Sequence, residues 1–139
     1  MHERFASARI ATGQAPGGTV RIVMAESFRL RFLGLMRLEA EEISALLFPR
    51  CRSLHMHWMR APIDIVWLDL SLDGAAGSAG VLGVLSELEP GASAKAPGGL
   101  GRDIRRRVGA LELPPGQAAA LGLEEGAELA LRIEPSQSG

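Results

Sequence analysis

Between Cys51 and Asp69 the chain reads CRSLHMHWMRAPIDIVWLD. This segment holds the only cysteine, two of the three histidines and both tryptophans. Three kinds of chemistry could be built from it. His55 and His57 lie two apart, so on a strand they face the same way, with Met59 next in line. Two imidazoles with Asp64 on the following strand are the start of a metal site. His55 with Asp64 forms the second arrangement, in which a carboxylate orients an imidazole for acid–base work. The third is Cys51 as a nucleophile with His55 as its base.

Each arrangement has a plainer structural counterpart. Two histidines without further ligands specify no metal, so no metal and no cofactor are expected. A buried His–Asp pair can do no more than satisfy its own hydrogen bonds and hold a strand in register. A lone cysteine is commonly a small buried hydrophobe. In an extended strand Cys51 stands about 13 Å from His55, at roughly 3.3 Å per residue. It joins the histidines only if the chain turns after Pro49. Alternation along IDIVWLDL places Ile63, Ile65 and Trp67 inward and leaves Asp64 facing solvent, unless Arg60 or Arg52 neutralises it.

Other candidates are weaker. Arg102, Arg105, Arg106 and Arg107 form a basic run that could meet a phosphate, or could simply be solvated. The glycine-rich pieces near 74–80 and 98–101 lack the Gly-Lys-Ser/Thr ending of a phosphate loop. A net charge of -1 gives no general attraction to polyanions, so nucleic acid is not an expected partner. Tyr is absent and other aromatics are few, so bases would find little to stack on.

The elements that must carry these residues read as strands. TVRIVMA (19–25), ALLF (45–48), 53–59, 63–70, 81–88, 109–113 and 127–133 are rich in apolar, β-branched or alternating positions. Ser27 to Met36 has helical spacing at Phe28, Phe32 and Leu35. Gln117 to Leu121 fits one helical turn, with Gly122 as its left-handed C-terminal cap. Residues 71–80 read as a flexible loop, and so does the stretch from Gly91 to about Arg107. The links are too short for crossover helices in a βαβ rhythm. The expected fold is mainly β: a small barrel or barrel-like sandwich of about six to eight short strands, with one or two short helices. Residues 1–18 read as a flexible arm, 19–134 as one domain and 135–139 as a frayed tail. No run approaches the ~20 apolar residues of a membrane span. With one cysteine and no apolar run of signal-peptide length near the N-terminus, a cytoplasmic setting is the default expectation.

Several of these residues form an ordered set. It runs Gly34-Leu35-Met36, Leu46-Leu47-Phe48-Pro49, Cys51-Arg52-Ser53-Leu54-His55, Met59-Arg60, Pro62-Ile63-Asp64 and Leu68-Asp69. It closes with Leu111-Glu112-Leu113-Pro114, Gly116, Leu121-Gly122-Leu123 and Gly126. From about Thr19 to Ile133 the chain resembles domain-of-unknown-function family 192, in the branch that carries Cys and His in the central motif. That resemblance implies a compact β-rich bacterial or archaeal protein with no established activity. Met56 stands where the family usually has Thr, and His57 and Trp58 also depart from its pattern. The resemblance therefore favours His55, Met59 and Asp64 over His57. A smaller likeness links LELPPGQAAALGLEEGAELAL to the strand, Pro, short helix, Gly, strand element of cradle-loop and double-psi barrels.

The functional expectation is a non-catalytic module, a monomer or weak homodimer. It would bind a small molecule or a protein partner in a cleft near residues 51–64, through His55, Met59, Arg60 and Asp64. The alternative is a hydrolytic or metal-assisted enzyme using His55 and Asp64, with Cys51 as a further catalytic candidate. His55 and His57 would be its candidate metal ligands.

Overall fold

A computed structural model describes residues 9–25, 45–55, 62–97 and 107–135. The strands are β1 (Ile10–Ala15), β2 (Gly18–Met24), β3 (Ala45–Phe48), β4 (Ser53–His55), β5 (Ile63–Asp73), β6 (Ala76–Leu88), β7 (Ser93–Lys95), β8 (Arg107–Leu113) and β9 (Glu128–Ile133). One helical turn, α1 (Gln117–Ala120), lies between β8 and β9. Seven strands close a barrel in the order β1-β2-β3-β8-β5-β6-β9, and β4 pairs with β7 in a separate two-stranded sheet. The mainly β barrel expected from the strand pattern is thus the fold. No described helix is long and apolar enough to cross a membrane.

Two strands fall where the sequence reads as irregular. β1 occupies residues assigned to a loose arm, yet it pairs with β2 on one side and β9 on the other. Its polar and small residues, IATGQA, carry little strand signal. They are small because space inside is short: a Cβ on Gly13 would come within 2.9 Å of the Ile22 side chain and 3.1 Å of Leu129. β7, SAK, likewise carries no apolar pattern beyond Ala94, which pairs with Leu54.

The expected 71–80 loop is also a correction. β5 and β6 continue through it, and Asp73 faces Ala76 across a two-residue turn. Gly74 opens that turn at φ +64°, the position where hairpin turns of type II′ place glycine. Residues 27–36, with their helical spacing, lie outside the described residues, as does 56–59 of the expected 53–59 strand.

Two apolar cores share the strands. One fills the barrel with Ile22, Met24, Leu47, Val66, Leu68, Leu111, Leu113, Leu129 and Leu131, among others. The second lies on an outer flank and contains Leu46, Phe48, Leu54, Ile65, Trp67, Ala94 and Ala110. β8 and the Ile63–Leu68 part of β5 stand between them, so both of their faces are buried there. The simple in/out alternation expected for β5 therefore inverts. Ile63, Ile65 and Trp67 face the flank core, and Val66, Leu68 and Leu70 face the barrel interior.

α1 packs at one end of the barrel. Ala118, Leu121 and Leu123 belong to the interior core. The turn ends in paired bonds, Gly122 N–H to the Ala119 carbonyl (3.0 Å) and Leu123 N–H to the Ala118 carbonyl (2.9 Å). That is the Schellman pattern, and Gly122 takes φ +69° as the sequence predicts. The β1–β2 turn docks against it through Gly17 N–H to the Leu121 carbonyl (2.8 Å). A Cβ at Gly17 would meet the Ala120 carbonyl oxygen at 2.6 Å and the Leu121 carbonyl carbon at 2.8 Å. Both are backbone atoms and cannot rotate away. Gly17→Ala should therefore lower unfolding stability by about 1–3 kcal/mol, the usual range for overpacking. Denaturant titration at unchanged m-value is the check, and a neutral result would mean that α1 is not held tightly at this point.

Candidate functional site

Asp64 sits in β5 on the interior side, opposite Leu113 of β8. It is 1% exposed. This corrects the solvent-facing position that alternation predicts. Its Oδ1 accepts the Glu87 backbone N–H at 2.9 Å, and its Oδ2 accepts the Ala118 backbone N–H at 3.0 Å. Glu87 lies where the β5–β6 register shifts between Ile63 and Ile65, and it is the only described non-glycine residue with positive φ (52°). A bulge of this kind turns an amide out of the ladder. Ala118 lies in the first turn of α1, whose N-cap Gly116 offers no side chain to bond. The carboxylate thus serves two backbone donors that the local sequence leaves without partners.

Cys51 is buried, and its thiol donates to the Ser53 carbonyl at 3.2 Å. The Cys51 N–H donates to the Val108 carbonyl (2.9 Å), which ties this turn to β8. His55 ends β4, and its backbone pairs with Ser93. His57, Met59 and Arg60 lie outside the described residues, as do Arg102, Arg105 and Arg106. Arg107 opens β8. Among the described residues no group of three His, Cys, Asp or Glu could hold a metal.

Two further buried groups carry polar atoms: Glu112, which the sequence offers only as part of the closing motif, and Trp67, which alternation already turns inward. Glu112, in β8, is 0% exposed and stands between Leu46 of β3 and Ile65 of β5 on the flank-core side. The signal was available: alternation puts it on the same face as Val108 and Ala110. Trp67 pairs with Ala110 on that face, and its indole Nε1 is buried with no hydrogen-bond partner among the described residues.

The strand directions give the barrel two distinct ends. α1 and Asp64 close one. At the other, β2 and β3 finish while β1 and β8 begin. A pocket of about 340 Å³ opens there, lined by Arg9, Ala25, Phe48, Pro49, Arg50, Leu72 and Arg107. Three guanidinium-bearing residues surround apolar walls. No single segment announces this pocket, because its residues come from five places in the chain.

The fold and these positions define a small closed β-barrel, plugged at one end by a helical turn held by a buried aspartate. Residues 9–131 match the domain-of-unknown-function family DUF192, described as an uncharacterised conserved family, and the chain belongs to it. Among solved structures it is similar to a crystal structure, at 1.22 Å resolution, of a protein of unknown function from Novosphingobium aromaticivorans DSM 12444. The TM-score is 0.58 at 19% identity, with 93% of this chain and 96% of that chain covered, and this likeness concerns the fold alone. No curated protein matches the chain.

Two outcomes follow from the Asp64 and Cys51 geometry. Asp64→Ala strands one buried and one partly buried backbone donor. At about 1–3 kcal/mol per stranded group it should cost roughly 2–5 kcal/mol in a denaturant titration. A loss below about 1 kcal/mol would show that the Asp64 contacts are dispensable. The Cys51 thiol should react with a disulfide reagent at least about 100-fold slower in the native than in the unfolded protein, because burial blocks access. Fast native labelling would instead restore Cys51 as a reactive thiol.

Proposed function

We propose that this chain is a non-catalytic binding module for a small ligand or protein partner, with its cleft near residues 51–64. One observation carries the reading. The described chemical groups of the central motif already have structural employment. Both Asp64 oxygens hold backbone amides, and the Cys51 thiol is given to a backbone carbonyl. A general base needs an oxygen that can reach a substrate proton, and a nucleophilic thiol needs access. Neither group offers that here.

The remaining motif residues are the recognition set: His55 at the end of β4, with Met59 and Arg60 just beyond it. In this reading Asp64 contributes by holding β5, the β6 bulge and α1 together. The near-neutral charge accords with a small-molecule or protein partner in the cytoplasm in preference to nucleic acid.

The test is a broad fragment and lysate-partner screen on the wild-type chain, followed by His55→Ala. The variant should keep the wild-type melting temperature within about 3 °C while its affinity for the captured ligand falls about tenfold or more. Full retention of affinity, or wholesale unfolding of the variant, would remove the support for His55 as a recognition residue.

A further inference from the structure

We infer that the mouth formed by Arg9, Arg50 and Arg107 is a site for a small organic anion, an oxyanion head on a short apolar body. The inference rests on the binding-module reading and names a ligand class for it. Arg50 immediately precedes Cys51 in the chain, so the mouth borders the start of the 51–64 segment, while Asp64 lies at the other end of the barrel.

The charge argument comes first. Guanidinium is a planar fork that matches carboxylate and phosphate oxygens in pairs, and it stays protonated at any physiological pH. Two such groups, Arg50 and Arg107, in one concavity repel one another, and an anion between them relieves that repulsion. Neither Arg50 nor Arg107 is engaged by a carboxylate among the described residues. Among the described residues the lining contains no acid.

Shape supplies the second half. A volume of about 340 Å³ is at the small end of ligand pockets, which run from roughly 300 to 1,000 Å³. A bare phosphate would fill only part of it. The partly exposed Pro49 and Leu72 provide apolar wall for the rest, backed by the buried Phe48 and Ala25. These walls are firmly set. Phe48 is 1% exposed, anchored in the flank core, and the Ala25 N–H is bonded to the Leu47 carbonyl at 2.8 Å. Carboxylates and phosphate monoesters share the required head chemistry.

The experiment titrates the full chain with octanoate, octyl phosphate, inorganic phosphate and 1-octanol by calorimetry or backbone amide shifts. One of the two alkyl anions should bind at least about tenfold tighter than both octanol and inorganic phosphate, and should weaken as salt rises. Which alkyl anion wins identifies the head group. Arg50→Gln with Arg107→Gln should reduce that affinity about tenfold or more. If the double variant does not fold, Arg50→Lys with Arg107→Lys replaces it; charge is kept, the fork is lost, and affinity should still drop measurably. Equal binding of octanol and the anions, or unchanged affinity in the variants, overturns the anion site. A neutral or cationic fragment that binds the double variant as well as wild type overturns it too, while leaving the binding module standing. No binding by any probe or screened fragment overturns both.

Discussion

The Asp64 carboxylate joins three parts of the chain that are far apart in sequence. One oxygen holds the amide of Glu87 at the bulge in β6, and the other holds the amide of Ala118 in α1. Burying a carboxylate is costly unless hydrogen bonds compensate it, and leaving amides unpaired is costly as well. Here the two costs cancel against each other. β5, the β6 bulge and the helical turn are thereby fixed as one unit. Gly17 and the Schellman bonds at Gly122 secure the other side of the turn.

With one end of the barrel closed this way, the other end is left to form an opening. The strand directions deliver Arg9, Pro49, Arg50, Leu72 and Arg107 to it. Between the two ends, β5 and β8 carry apolar residues on both faces. Barrel interior and outer flank both hold buried apolar clusters, and the β4–β7 sheet contributes Leu54 and Ala94 to the flank core. The buried Glu112 and the Trp67 indole belong to this flank. A signature that looks like an active site in one dimension thus supplies, in its described residues, buried scaffold contacts. Asp64 and Cys51 go to the scaffold, and the opening lies at the barrel end opposite Asp64.

Much of the fold was legible. Ala45–Phe48 and the start of β5 stand out by β-branched and apolar content, and Gly122 by its place after an apolar turn. β1 and β7 were not legible, because their residues are small or polar and their strand character comes from partners. The Gly-, Ala- and Ser-rich run 76–80 pairs with 69–73 for the same reason: the hairpin imposes it. Asp64 illustrates a different failure. Alternation assumes one wet face, and β5 has none from Ile63 to Leu68.

The local pattern of this sequence determined the class of fold, the helical turn with its glycine cap, and the membership of His55 and Asp64 in one motif. These depend on side-chain periodicity and backbone preference over a few residues. Which face of β5 is the interior, what Asp64 bonds to, and which arginines share a pocket were decided only by the tertiary structure. Those outcomes depend on contacts such as Asp64 with Ala118, 54 residues apart. Barrel closure alone brings such residues together, and no local spacing encodes it.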